Sequence, residues 1–259
     1  IGMALAGLRP VIEIQFSGFA FVGFAQLEGN GVRYRARTQG HWTVPMVIRM
    51  PYGGGVRALE HHSESRESTF ASLTGLKVVI PSTPRNARAL MVAAIRDPDP
   101  VVVMEPKYAY RSFREDVPDE NECLPIGKAN IRRTGSAATV ITWGAMTVQL
   151  DAVLESLSGN GLDIEHIDLL TISPMDIDTI VHSVQKTGRA IVVQEATRSF
   201  STGSEIIARI NERAFYYLEA PVKLVSSYDV VTPYFGREQL YLPNGSQIEA
   251  AIRDVIAAV

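Results

Sequence analysis

The sequence predicts an α/β protein made of two successive open α/β domains. Three features carry this expectation. Short β-branched runs recur along the chain, and segments with apolar residues at helical spacing lie between them. The connections are short and rich in Pro, Gly, Asn and Asp. A single charged stretch, residues 105–133 with Pro106, Pro118 and Pro125, interrupts the alternation. Alternating strands and helices imply a mostly parallel sheet. The interruption implies an interdomain connection, so domains are expected at 1–115 and 134–259 with a linker at 116–133. A chain of 259 residues, 46% hydrophobic and 20% charged, is large enough to bury such cores.

Taken in order, residues 1–8 read as the end of a helix whose start precedes the given chain. Pro10 ends it, because the residue before a proline avoids helix. Residues 11–16 read as a strand. Residues 19–37 show a partial helical period in Phe21, Phe24, Ala25 and Val32, broken at Gly29-Asn30-Gly31. Arg33, Arg35 and Arg37 alternate and suggest a solvated or subunit-facing surface. Residues 46–48 read as a short buried strand between Pro45 and Pro51. Residues 76–80 form a strand, and Pro81-Ser82-Thr83-Pro84 turns and caps a helix over 85–96. The face of that helix is Ala87, Leu90, Met91, Ala94 and Ile95. Asp97-Pro98-Asp99-Pro100 stops it, and 101–104 is the next strand.

Beyond the connection, strands are expected at 138–142, 164–169, 190–193 and 222–225. Helices are expected at 146–157, 203–214 and 248–259, the first ended by Gly159-Asn160-Gly161. Ser173-Pro174-Met175-Asp176 starts a further helix that buries Ile177, Ile180, Val181 and Val184, with Gly188 as its C-terminal cap.

Composition excludes several functions. A net charge of -3 offers no basic excess for nucleic acid or an anionic membrane. No apolar run reaches the length of a membrane span. Cys123 is the sole cysteine, so no internal disulfide or thiolate metal site is expected, and a reducing compartment is. No phosphate-cradling fingerprint occurs, because Gly53-Gly54-Gly55 lacks the Lys-Ser/Thr of a P-loop. His61 and His62 lack a helical metal-ligand spacing, and Ser63 and Ser65 lack the context of a nucleophile elbow.

Residues 45–65 remain as the chemical centre. The run P-M-V-I-R-M-P-Y-G-G-G-V-R-A-L-E-H-H-S-E-S places a glycine-rich loop and two histidines after a buried strand. Such a loop can admit a ligand to the backbone and deliver a histidine for acid/base work near neutral pH. By itself it is equally a solvated polar loop with two surface histidines.

The sequence resembles the β subunit of the thiamine-diphosphate-dependent decarboxylating component of 2-oxo acid dehydrogenase complexes. The motifs that carry this are E-I-Q-F-S-G-F (13–19), P-Y-G-G-G (51–55), H-S-E-S (62–65), G-L-K-V-V-I-P-S-T-P (75–84) and A-I-R-D-P-D-P-V (94–101). E-P-K-Y-A-Y-R-S (105–112), K-T-G-R-A-I-V-V-Q-E-A (186–196) and L-E-A-P-V (218–222) continue it. The resemblance implies a pyrimidine-binding domain lacking its N-terminal part, followed by a transketolase C-terminal-like domain.

It also implies residue roles. His62 matches the active-site histidine that helps hold substrate and the incoming lipoyl group, and His61 supports it from beside. Phe19 matches the aromatic residue that packs on the aminopyrimidine ring of the cofactor; read without the resemblance, it is plain core. Met46, Ala94, Ile95, Asp97 and Asp99 match a potassium-binding loop, whose aspartates are otherwise ordinary turn residues.

The implied cofactor is thiamine diphosphate, its magnesium held mainly by an α subunit. The implied partners are that α subunit in an α2β2 heterotetramer, a lipoyl acyltransferase core and a small 2-oxo acid, pyruvate or branched-chain. The implied location is the cytoplasm, or the mitochondrial matrix in a eukaryote. The family's activating glutamate falls before Ile1, and Glu13 and Glu105 lie too far along to replace it. Two other readings stay open at this point: a non-catalytic assembly module centred on residues 138–259, and another thiamine enzyme of the transketolase type.

Overall fold

The computed structural model describes residues 1–120, 122–158 and 161–258, which form two five-stranded sheets. The chain enters through α1 (Gly2–Leu5) and β1 (Val11–Glu13), a short exposed strand. The expected strand stops early because the chain tightens into a 3₁₀ turn, Ser17–Phe19. Next come α2 (Phe21–Gln26), a π-helical stretch at Leu27–Val32 and α3 (Tyr34–Arg37). The break expected at Gly29-Asn30-Gly31 is therefore a widened helical turn. Arg33 and Arg35 are paired, with Glu28 and Asp99, both at 2.6 Å.

β2 (Val47–Tyr52) runs through Pro51, where the sequence suggested a boundary. Val47 donates to the Pro10 carbonyl and Arg49 accepts from Ile14, so alternate residues of β2 bond toward β1. Pro51 is next in that alternation, but β1 has already ended, so no donor is missed there. α4 (Glu60–Ser63) and α5 (Glu67–Ala71) follow, then β3 (Lys77–Val79), α6 (Pro84–Arg96) and β4 (Val101–Pro106). Thr83 and Asn86 form a capping box with Pro84 at the first helical position, as the turn sequence predicts.

The second half runs β5 (Asn130–Arg133), β6 (Ala138–Thr142), α7 (Ala145–Ser158), β7 (Ile164–Asp168), β8 (Thr171–Ser173) and α8 (Ile177–Thr187). It ends β9 (Ala190–Thr197), α9 (Thr202–Ala214), β10 (Lys223–Ser227), α10 (Glu238–Tyr241) and α11 (Gly245–Ala257). Gly188 closes α8 in the left-handed conformation, φ 69°. The helix stop expected at Gly159-Asn160 lies outside the described residues, as does Val259.

The first sheet has the order β1-β2-β4-β3-β8 and the second β10-β9-β6-β7-β5. Strands are parallel except at one edge of each sheet, where β8 runs against β3 and β5 against β7. β8 was not expected as a strand, and it carries the second half of the chain into the first sheet. β5 lies in the connecting stretch that the sequence left unstructured.

One apolar cluster joins both halves: Met50, Tyr52, Ile80 and Met104 are continuous with Ile141, Trp143, Ile167 and Leu169. Trp143 donates to Glu67 at 3.2 Å across the seam. Gly144, at φ 57°, lies so close to the Tyr52 hydroxyl that a side chain would collide with it. The two domains are thus fused by a shared core. Among the described residues no helix is long and apolar enough to cross a membrane, and Cys123 is free and exposed.

Candidate active site

The carboxyl ends of β1, β2 and β4 converge, the usual place for a site in an open α/β sheet. After β1, the 3₁₀ turn brings Phe16 and Phe19 forward. After β2, the Gly53 loop leads into α4, which carries His61 and His62. After β4 stands Lys107.

The turn and α4 touch closely. A side chain at Gly18 would collide with the His61 carbonyl, so only glycine allows the approach. Ser17 Oγ donates to the Glu64 carbonyl at 3.3 Å and ties the two segments together. Phe19 meets His61 and His62 edge-on, each with ring centroids 5.4 Å apart. Phe16 tilts against His62 at 4.7 Å.

The Phe19 ring remains 40% exposed, so it offers a face for a further ring. The His62 Nδ1 atom is buried without a hydrogen-bond partner among the described residues. A buried polar atom left unpaired is costly and marks a place where a bound molecule would complete the bonding. His62 and Phe19 are therefore brought together, as the resemblance implies, and His61 stands more exposed beside them.

Sequence reasoning assigned no role to the buried charges around this loop. Lys107 Nζ donates to the His62 carbonyl and lies 4.8 Å from the centre of the Phe16 ring. From the second domain, Glu195 accepts from the Gly54 amide and Glu238 accepts from the Arg57 amide at 2.8 Å. Burial pushes Glu195 up to about 7, with Glu67 and Glu238 adding to the shift while Gly54 and Lys107 oppose it. Burial pushes Lys107 down, opposed by Glu195 and Glu238. Burial also raises Glu67, and it raises Asp168 to about 7, where Ser82 donates to its carboxylate.

The glycine loop was expected to admit a ligand. Instead, a Cβ at Gly53 would lie 2.7 Å from a Glu195 oxygen and one at Gly54 2.7 Å from a Glu238 oxygen. The glycines thus make room for carboxylates of the second domain. The visible signal was a charged residue inside a continuous apolar strand, Glu195 in A-I-V-V-Q-E-A.

Met46 and the 94–99 turn meet at the other, amino ends of β2 and β4. The length of β2, six residues or about 20 Å, separates this turn from the loop that leads to His62. The Ile95 and Asp97 carbonyls accept from Arg9 Nη1 at 2.6 and 2.9 Å. Lys77 pairs with the Asp97 carboxylate at 2.7 Å and Arg35 with Asp99 at 2.6 Å. The Ala94 carbonyl accepts from the Asp97 amide at 3.3 Å and the Met46 carbonyl from Val101 at 3.0 Å. The five residues are brought together, and their oxygens already face cationic side chains or amides. A cavity of about 710 Å³ elsewhere, lined by Ser68, Pro174, Phe200 and Arg209 among others, contains none of these site residues.

Known proteins match the chain over nearly its whole length. The family model for the transketolase pyrimidine binding domain matches residues 1–112, and that for the transketolase C-terminal domain matches residues 127–248. The pyruvate dehydrogenase E1 component subunit beta of Acholeplasma laidlawii is 46% identical over 258 residues, covering 100% of this chain and 79% of that protein. The same subunit of Bacillus subtilis (strain 168) is 45% identical over 256 residues, covering 99% of this chain and 79% of that protein. A solved split-gene transketolase, described as an inactive beta4 tetramer, superimposes with a TM-score of 0.81 over 99% of this chain and 79% of its own, at 19% identity, which speaks for the fold alone. The chain belongs to the β subunits of thiamine-diphosphate-dependent 2-oxo acid dehydrogenases, of the pyruvate dehydrogenase E1 type.

Proposed function

We propose that this β subunit works with an α subunit in the oxidative decarboxylation of pyruvate and in passing the acyl group to a lipoyl domain. The observation that carries the reading is the pairing of Phe19 with His62. An aromatic face stands open beside an imidazole whose buried Nδ1 lacks a partner. These residues fit thiamine diphosphate: a flat ring would stack on Phe19, and His62 would hydrogen-bond near the reacting carbon. When bound, that cofactor supplies the electron sink for decarboxylation.

The chain's own part is to orient and to move protons. Phe19 would offer its exposed face to the cofactor ring. His62 would hold the substrate carboxylate or carbonyl, then the incoming lipoyl disulfide, whose S–S bond breaks as one sulfur takes the acyl group and the other leaves as a thiol; Phe16 packs against its ring. His61 packs edge-on against the Phe19 ring and supports the pair from there. No phosphate cradle was found in the sequence, so the diphosphate and its magnesium fall to the α subunit in an α2β2 assembly. The Ala94–Asp99 turn with Met46 offers carbonyl oxygens, a donor set suited to potassium. Arg9 shares the Ile95 and Asp97 carbonyls, and Lys77 and Arg35 pair with the Asp97 and Asp99 carboxylates beside them.

The test is reconstitution of the full-length β subunit, activating glutamate included, with the α subunit, thiamine diphosphate, magnesium and a lipoyl domain. Pyruvate and branched-chain 2-oxo acids are compared by acylation of the lipoyl group. Acylation from pyruvate is expected. No acylation from any 2-oxo acid, with a heterotetramer confirmed by sedimentation, would leave the assembly-module reading in its place.

A further inference from the structure

We propose that Lys107, Glu195 and Glu238 are positioning residues for His62, holding the backbone of its segment from outside. The proposal rests on the reading of His62 as the active-site histidine. α4 is only four residues long, far too short to hold its shape alone. Ring contacts with Phe16 and Phe19 leave His62 Nδ1 unbonded. The direction of the imidazole is therefore set by the backbone that carries it.

Besides the Ser17 bond to the Glu64 carbonyl and the His62 amide bond to the Leu59 carbonyl, that backbone is held at four further places. Gly53 donates to the Glu64 carbonyl at 3.1 Å, which closes the base of the loop. The Gly54 amide donates to Glu195 and the Arg57 amide to Glu238. The His62 carbonyl accepts from Lys107. Of these four, the first is internal to the segment. The other three come from side chains that are 6%, 1% and 6% exposed for Glu195, Glu238 and Lys107.

Burying three charges is unfavourable unless each is used. Here each one takes a backbone group of the same short segment, and the single ammonium lies close enough to both carboxylates to interact with them. The glycines at 53 and 54 fit this arrangement, since side chains there would displace the two carboxylates. Glu195 and Glu238 belong to the second domain, so the shared core and these bonds couple the placement of His62 to how that domain sits.

The experiment uses the reconstituted heterotetramer, with Lys107→Met, Lys107→Arg and Glu238→Ala made singly and in a His62→Ala background. Lys107→Met and Glu238→Ala are each expected to lower kcat by roughly tenfold to a hundredfold with KM for the 2-oxo acid little changed, as misplacing a reacting group does. Lys107→Arg keeps a donor and is expected to recover most of that loss. In the His62→Ala background the same substitutions are expected to cost almost nothing further, because they act through His62. An equal loss in both backgrounds, or full activity in both single variants, overturns the proposal.

Hydrogen exchange at the Gly54 and Arg57 amides reads the hold without any catalysis. Unchanged protection in Glu238→Ala and Lys107→Met overturns the proposal even where His62→Ala is inactive. Lost protection together with a fully active His62→Ala supports the hold and overturns the active-site reading alone.

Discussion

Replacing Glu195 by glutamine should change how stability depends on pH in a direction that the structure fixes. Glu195 is 6% exposed, and burial raises its pKa from 4.5 to about 7. The folded value lies above the unfolded one, so the native state binds the proton more tightly. The associated stability is fully present below pH 4.5 and is lost as pH rises to about 7. At about 1.4 kcal/mol per pH unit, the carboxylate costs about 3 kcal/mol at pH 8 and less than about 1 kcal/mol at pH 5. Glutamine keeps an oxygen for the Gly54 amide and removes the titration. Relative to the parent, Glu195→Gln should therefore gain about 2.5 kcal/mol between pH 5 and pH 8.

Any pH-independent cost of the substitution cancels in that difference. So does the titration of Asp168, which is raised to about 7 in both proteins. The assay is urea unfolding followed by circular dichroism at both pH values, with equal m-values as the check that one transition is being compared. A difference below about 0.5 kcal/mol, or a gain toward acid, would refute the argument that Glu195 is held charged against its burial.

His62→Ala should abolish most acyl transfer to the lipoyl domain while leaving the melting temperature nearly unchanged, and His61→Ala should cost less; equal turnover in parent and His62→Ala would remove the active-site assignment. Exchanging potassium for a bulky organic cation should lower the melting temperature if the 94–99 turn binds the ion, since a ligand of the folded state stabilises it. A melt indifferent to potassium would mean that Arg9 and Lys77 suffice as the cations of that turn. Gly18→Ala should destabilise by about 1–3 kcal/mol, because the new Cβ runs into the His61 backbone; unchanged urea unfolding would show that the turn and α4 yield without strain.

The parallel strands were the most legible part of the fold. β6, β7 and β9 are all buried; β6 and β9 read as near-continuous apolar runs, whereas β7 is apolar only at Ile164, Ile167 and its neighbour Leu169. Helix limits followed from capping chemistry at Thr83 and Gly188. β5 and β8 escaped notice because each is a short antiparallel edge strand whose pairing comes from a distant segment. At the site, His62 and Phe19 were named through family motifs. Lys107, Glu195 and Glu238 were not, although Glu195 is a charge within a largely apolar strand.

What the sequence determined by itself was local: the periodicity that separates strand from helix, the turns, and the motif set that marks a thiamine-dependent β subunit. These depend on neighbours within a few residues, where steric preference and backbone hydrogen bonding act directly. What only the tertiary structure decided was how the two halves meet. Gly54 bonds a carboxylate 141 residues away, Trp143 reaches Glu67 across 76 residues, and β8 completes a sheet begun by the other domain. Contacts of that span leave no periodic trace in the chain, because the requirement to pair a buried charge or close a sheet edge is met in space by whichever residue folding brings there.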